Sequence, residues 1–237
     1  MPYSHPQLLT REEALKQNRH LLPGALAFAG TAGFINSIAL GAFGSPVSHM
    51  TGAVSYLGLE LAGGRLHNAV ATLTIILAFM LGAALAGLIV GAQDLAPGRR
   101  YGWSLCCEGA LLAVAMYVLT SGHSLGVALI AMACGLQNAT TSSYYGLMIR
   151  TTHVTGTVTD IGVMLGHWLR HQSIERRKLL FMAGVVAAFG AGVLLGGIAD
   201  ARWGPATLAI AAAGCALAGI STVLFPRWIM GQANPGK

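Results

Sequence analysis

The stretch HMTGAVSYLG at residues 49–58 recurs without a gap as HVTGTVTDIG at residues 153–162. Both copies fit the pattern H-x-T-G-x-V-[ST]-x-[LI]-G. Upstream of each copy, Gly33-Phe34-Ile35-Asn36 matches Gly135-Leu136-Gln137-Asn138. An internal repeat constrains the architecture of a chain more than any other sequence signal. These matches predict two tandem copies of one helical unit, residues 23–120 and 121–226, flanked by segments 1–22 and 227–237.

The composition predicts an all-α integral membrane protein that crosses the bilayer several times. The 237 residues are 54% hydrophobic and 9% charged, and the mean hydropathy is +0.64. A hydrocarbon core about 30 Å thick is crossed by about 20 apolar residues in helical form. Six stretches are long enough, at 23–43, 69–92, 102–120, 124–149, 179–199 and 203–226. The first apolar run follows a long, charged segment that does not resemble a signal peptide, so we expect its helix to stay in the mature protein.

The formal charge of +6 does not indicate a nucleic-acid partner, because the 14 Lys and Arg are spread through the tails and loops. Basic loops of this kind set membrane topology and contact anionic lipid headgroups. The cysteines Cys106, Cys107, Cys134 and Cys215 lie in apolar segments without metal-ligand spacing. We therefore expect reduced packing residues and neither a metal nor another cofactor.

Two short elements, at 53–64 and 157–169, decide the topology. Each is shorter than a spanning helix and is more typical of a re-entrant or interfacial segment. If both nevertheless crossed, with a cytoplasmic N-terminus, the basic residues left outside would be Arg99, Arg100, Arg150 and Arg202. If both re-enter, only Arg65 and Arg202 stay outside.

The excess of basic residues in cytoplasmic loops favours the second arrangement, with both termini cytoplasmic. Three crossings per copy invert the second copy relative to the first, the plan of many transporters. Each copy would then hold three spanning helices and one half-helix. Eight crossings would give parallel repeats instead.

The predicted solute site lies where the half-helices begin. Pro46 and the glycines break regular helix, and freed backbone groups at membrane depth must be buried in protein or face a watery cavity. Ser48 or Thr51, and Thr152 or Thr155, are natural helix caps. In inverted copies the two half-helix N-termini would approach one central point and present uncapped donors, which favours an anion or a strongly polar solute.

His49 and His153 are the main candidates for contacting that solute, together with the Thr-Gly pairs that follow them, Thr51, Gly52, Thr155 and Gly156. Intramembrane ionisable groups are usually functional, and a histidine can carry a proton near neutral pH. The alternative is that each imidazole only satisfies a carbonyl freed at the helix break.

Other polar side chains in the apolar segments are secondary candidates. Asn36 and Asn138 either line the pathway or hydrogen-bond between helices. Asp160 follows the second histidine where the first copy has Tyr56, which predicts an asymmetric site. A carboxylate in a membrane needs a partner or a water-filled face. We expect Glu60 to reach the membrane interface beside Arg65 rather than to line the pathway. Glu108 lies in the fourth element of the first copy, the long stretch 102–120.

Glycine pairs four residues apart allow close helix packing. We match Gly87 and Gly91 in the first copy to Gly192 and Gly196 in the second. The two pairs predict close contacts between the copies, or alternatively a contact between chains of a homo-oligomer.

The motifs at residues 33–36 with 48–52, and at 135–139 with 150–157, resemble those of the YoaK-like bacterial membrane proteins. That family is of unknown function. The resemblance extends over roughly residues 20–226 and implies a bacterial inner-membrane location without an established activity. Asn36 replaces an acidic residue common in the family, and Ala53 replaces an Asn, so proton coupling at that helix is in doubt.

The sequence therefore predicts a channel or secondary transporter for a small polar or anionic solute. The alternative is a membrane-embedded enzyme or an assembly subunit that uses His49, His153 and Asp160. No nucleophile elbow, phosphate loop or metal-spaced cluster is visible, so we expect no enzyme activity.

Overall fold

The computed structural model describes residues 22–44, 47–91, 99–142 and 153–225. These ranges are helical and contain no strand. The α-helices are α1 (Leu22–Phe43), α2 (Met50–Ala62), α3 (Leu66–Val90), α4 (Arg99–Thr120), α5 (Leu125–Ser142), α6 (Val154–Leu169), α7 (Arg176–Trp203) and α8 (Leu208–Leu224). A 3₁₀ turn, Gly204–Thr207, joins α7 to α8. The all-α prediction is confirmed.

Among the described residues, four segments are long and apolar enough to cross a membrane: Pro23–Gly41, Leu66–Val90, Arg99–Thr120 and Arg176–Leu224. The last one contains both α7 and α8. A shorter apolar helix lies at Leu125–Thr141. These helices are those of a membrane protein. Of the predicted apolar stretch 124–149, the structure shows helix as far as Ser142, and residues 143–149 lie outside the described ranges, as do the flanking segments 1–21 and 226–237.

The two short helices lie on the outside of the bundle. α2 has 13 residues and buries only Ala53, whereas α6 has 16 residues and buries none. At 1.5 Å per residue they are about 20 and 24 Å long, less than the roughly 30 Å of a hydrocarbon core. His49 and His153 occupy the same position, the residue just before each short helix begins.

Glycines make two helix crossings of the same geometry. On α1 and α7, a Cβ added to Gly33 would collide with the carbonyl oxygen of Phe189, and one added to Gly192 with that of Gly30. Each glycine therefore meets the carbonyl three residues before the glycine that faces it. Because neither position can hold a side chain, the two backbones pack directly against each other.

The crossing of α3 and α5 repeats this relationship. A Cβ on Gly82 would collide with the carbonyl oxygen of Met132, and one on Gly135 with that of Phe79. Here too, each glycine meets the carbonyl three residues before its facing glycine. The first helix of one half thus packs against the third helix of the other half in both cases.

Gly82 therefore takes the place that sequence comparison assigned to Gly87, and that assignment is wrong. A Cβ on Gly87 would have nothing within 4 Å, and Gly91 ends α3 with φ 78°. The four-residue spacing does not reveal which face of a helix is covered. Gly196 does pack against α1, because a Cβ added to it would lie 2.6 Å from the Phe34 carbonyl oxygen.

Contacts along the crossings set the helix directions. α1 and α7 run the same way, because Leu26 lies beside Gly184 near their starts and Gly41 lies beside Asp200 near their ends. α3 and α5 also run the same way. Residues 72–75 share a cleft with residues 125–128, and Gly82 meets Met132 further along both helices.

α4 runs opposite to both α8 and α5. Gly102 faces Gly219, while Gly109, further along α4, faces the earlier residue Ala212. Between α4 and α5, Ser104 bonds to Thr140, whereas the end of α4 lies against Gly126 at the start of α5.

The 3₁₀ turn reverses the chain, because residues 188–195 of α7 and 210–214 of α8 line one groove. Continuing in one direction would separate them by tens of ångströms at 1.5 Å per residue. α1, α4 and α7 therefore point one way, and α3, α5 and α8 the other.

Candidate functional site

The chain enters α2 through the protein core. Val47 has no exposed surface and packs in the cluster that contains Ile35 and Ile38 of α1. Ser48 is 5% exposed. Polar backbone that is not helical is tolerated at membrane depth when protein surrounds it, and these neighbours surround it here.

Asn36, Ser48 and His49 form a hydrogen-bonded series, which we call the α1–α2 polar chain. Ser48 Oγ donates to Asn36 Oδ1 over 2.7 Å and lies 2.9 Å from His49 Nδ1. The single Ser48 hydroxyl proton is used toward Asn36, so Nδ1 of a neutral His49 carries the proton and donates to Ser48. Nε2 is then an acceptor.

Phe189 of α7 closes the other side of His49. The two rings meet edge to face, with centroids 5.6 Å apart and planes at 85°. Burial lowers the pKa of His49 from its ordinary value, since the charged imidazole loses hydration there. His49 is therefore neutral at neutral pH.

The expected caps are wrong in the first copy. The residue before α2 is His49, and no side chain caps that end. Ser48 is engaged with Asn36, and exposed Thr51 lies inside the helix. In the second copy His153 precedes α6, also without a side-chain cap, and Thr155 lies inside that helix. Thr152 is outside the described residues.

The predicted residues of the second copy are more exposed. His153, Thr155 and Asp160 are exposed, and Gly156 lies beside the His153 ring. Asn138 is half-buried on α5 and has an interaction of its own. The structure thus brings Asn36 and His49 together through Ser48, with Gly52 in the first turn of α2. Within the described ranges, no hydrogen bond or ring contact joins His49 to His153.

A polar cleft of about 510 Å³ lies between α2, α3 and the start of α5. Its lining includes Tyr56, Glu60, Asn68 and Ser124. Glu60 lies beside Arg65, as predicted, and forms an ion pair with it. It also accepts a 3.2 Å hydrogen bond from Asn68 Nδ2. The hydrogen bond from Arg65 lowers the pKa of the Glu60 carboxyl, so this cleft carries a neutralised pair rather than a free charge.

Sequence reasoning undervalued a second polar group, at the centre of α4, α5 and α8. Glu108 has no exposed surface and Gln137 is 1% exposed. Beside them, Thr140 donates to the Leu136 carbonyl, and Ser104 donates to Thr140 over 2.6 Å. A lone carboxylate and an amide in apolar helices were the available signal, but the sequence did not show that both face inward.

No group of three His, Cys, Asp or Glu residues that could hold a metal is found in the described part of the chain. All four cysteines are free thiols.

No similar protein was found among curated proteins or among solved structures. One family model does match, over residues 24–221, and its description is "Protein of unknown function (DUF1275)". The match extends over nearly all of the helical region, including α1, both short helices and most of α8. It agrees with the resemblance to YoaK-like membrane proteins, and the chain belongs to the DUF1275 family.

Proposed function

We propose that this chain is a channel or secondary transporter of the bacterial inner membrane, and not an enzyme. It would move a small polar or anionic solute through a site at the N-terminal ends of α2 and α6. The observation that carries the proposal is the α1–α2 polar chain, since three polar side chains line an uncapped helix start inside a membrane bundle. Structural packing alone does not require an imidazole with a free acceptor there.

The proposal includes two inverted repeats, residues 23–120 and 121–226. The matched glycine crossings, Gly33 with Gly192 and Gly135 with Gly82, support equivalent roles for α1 and α5 and for α7 and α3. The helix directions support inversion. α1 and α5 point in opposite directions, and α3 also runs opposite to α1, so α2 would begin and end on one side of the membrane.

The same argument applies to α6, because α5 and α7 also run in opposite directions. Eight crossings would make α4 and α8 parallel, whereas Gly102 faces Gly219 and Gly109 faces Ala212 in an antiparallel arrangement. We therefore favour six crossings and two re-entrant half-helices.

In this arrangement the solute accepts hydrogen bonds from the first amide groups of α2 and donates one to His49 Nε2. Uncapped amides at a helix start attract negative or polar groups. Asn36 would set the orientation of Ser48 and His49. The corresponding half-site of the second copy would consist of His153, Thr155, Gly156, Asn138 and Asp160. It differs from the first half-site by the Asp160 carboxylate. The polar cleft beside Glu60 provides an entrance.

The exposed faces of α2 and α6 are the surfaces we assign to lipid or to further copies of the chain. α2 exposes Val54, Leu59 and Leu61, and α6 exposes Val158 and Leu165. Apolar side chains of this kind are compatible with lipid tails and with a homo-oligomer contact alike.

Purified protein in liposomes tests the proposal. Formate, acetate, urea and glycerol would be the probes, and shrinkage followed by recovery of the vesicle volume would report solute entry. We expect at least one probe to enter faster than into protein-free vesicles, and Asn36→Leu and Ser48→Ala to slow that entry. The matched control is Leu88→Ala, because Leu88 is 84% exposed on α3. Equal rates in all three variants would contradict the proposed site.

A further inference from the structure

We propose that Glu108 is a proton-binding site in the middle of the membrane, and that its proton is exchanged as the solute crosses. Only the exchange of the proton during transport rests on the proposed transport function. The bound proton itself does not depend on that function.

Glu108 is enclosed at a three-helix contact. Its side chain lies near the middle of α4 and has no exposed surface. The next residue, Gly109, packs against the backbone of α8, where an added Cβ would lie 2.8 Å from the Ala212 carbonyl oxygen. In this conformation the Glu108 side chain is therefore out of contact with water.

In the described part of the chain, the helices packed against α4 carry no positively charged residue. The nearest titratable neighbours of Glu108 are the thiols of Cys134 on α5 and Cys215 on α8. Each is the only titratable residue of its helix, and α3 holds only His67, in its first turn. The 3₁₀ turn, Gly204–Thr207, contains no titratable residue.

Neither Glu108 oxygen has a nitrogen or oxygen hydrogen-bond partner among the described residues. A thiol is only a weak donor. An ionised carboxylate without a counter-ion or strong donors is very costly in such surroundings. The group avoids that cost by holding a proton, which makes Glu108 a neutral carboxylic acid at neutral pH.

Gln137 makes this a site rather than an isolated acid. Its amide oxygen and nitrogen are also buried and lack hydrogen-bond partners in the described structure. It lies one turn beyond Cys134 on α5, whose thiol is an electrostatic neighbour of Glu108. The antiparallel pair Ser104 and Thr140 puts residue 136 level with Glu108, so Gln137 lies within one residue of that level. Two buried polar side chains without hydrogen-bond partners thus lie at about the same depth on adjacent helices.

The site is not duplicated. At the α4–α8 crossing Gly109 and Gly219 take equivalent positions, each packed against the backbone of the other helix. Ala218 therefore stands where the second half would need a carboxyl group. One proton per chain is the expected capacity.

Carbodiimide labelling tests the bound proton in the full chain in its membrane. Dicyclohexylcarbodiimide adds to a protonated carboxyl in an apolar environment and leaves a stable acylurea. The tryptic fragment 101–150 contains Glu108 as its only carboxyl side chain, and fragment 20–65 contains only Glu60. At pH 7 we expect an adduct on 101–150 that Glu108→Gln abolishes, and at least about tenfold less on 20–65, since Glu60 is paired with Arg65 and is ionised at that pH.

Infrared spectroscopy decides the case in which the reagent does not reach the site. A protonated carboxyl gives a C=O stretching band that a carboxylate lacks. The wild-type spectrum at pH 7 should contain this band and the Glu108→Gln spectrum should lose it. A wild type without the band would overturn the bound proton, whatever the labelling shows.

The exchange during transport is tested in the same vesicles with a pH-sensitive dye inside. Solute entry through the wild type should change the internal pH, and entry through Glu108→Gln should not. Solute entry without a pH change in the wild type would overturn the coupling alone. A persistent infrared band in a protein that moves none of the probes would instead count against the transport proposal.

Discussion

Gly33 and Gly192 face each other where α1 crosses α7, and neither position can hold even a methyl group without moving the other backbone. A Cβ on Gly192 would collide with the Gly30 carbonyl, and one on Gly33 with the Phe189 carbonyl. The pair packs α1, in the first half of the chain, against α7, in the second half. Gly135 and Gly82 make the same contact between α5 and α3.

Replacing a glycine of either crossing should destabilise the fold. We expect Gly192→Ala or Gly82→Ala to cost about 1–3 kcal/mol, since the colliding atoms are backbone. The loss would appear as a lower thermal unfolding midpoint in detergent. Gly190→Ala and Gly87→Ala are the matched controls, because a Cβ there meets nothing within 4 Å. Helix propensity should make these controls neutral or slightly stabilising. Equal losses in both groups would show that the crossings are not close.

The two histidines should differ in stability although they hold equivalent positions. His49→Ala removes the bond to Ser48 and the ring contact with Phe189, at a cost of about 1–3 kcal/mol for the buried polar partner. His153→Ala removes an exposed side chain and should leave the unfolding midpoint unchanged. If both line the pathway, both variants slow solute entry. Unchanged entry in His153→Ala would limit the site to the first half.

Acidification should weaken the fold through His49. Its pKa is lowered in the folded protein, so the unfolded chain binds more protons below its ordinary value of 6.5. Stability contributed by the neutral imidazole is then present above that pH and is lost as the pH falls below it. Unfolding midpoints of the wild type and His49→Gln should diverge at pH 7.5 and approach one another at pH 5.5. A constant difference would argue against this titration.

The ends of α2 and α6 should be reached from opposite sides of the membrane. Single cysteines would replace Ala62 and Gln172 after the four native cysteines have been removed. In the inverted arrangement an impermeant reagent added outside labels residue 62 but not residue 172, since each half-helix returns to its own side. Labelling of both from one side would support eight crossings.

Residue 98 gives an independent check on the same arrangement. It lies outside the described residues, and the loop charges predict a cytoplasmic location for it. A cysteine at residue 98 should therefore react only after the membrane is opened. Reaction from outside in intact cells would remove the basis of the inverted repeat.

The sequence alone was sufficient for the membrane character, the all-helical fold and the two histidines that precede the short helices. Apolar length is set by bilayer thickness, and a gapless repeat marks equivalent positions whatever the contacts are. The location of Glu60 beside Arg65 could also be predicted, since the two residues lie close together along the chain.

Only the tertiary structure decided which residues meet across helices. Gly87 and Gly82 are both glycines of α3, yet only Gly82 faces α5, because a helix buries one face and spacing does not say which. Ser48 could cap α2 or bond to Asn36, and the packing of Val47 against α1 selects Asn36. Glu108 and Gln137 are separated by a whole helix-to-helix connection, and their shared burial follows from the antiparallel register of α4 and α5.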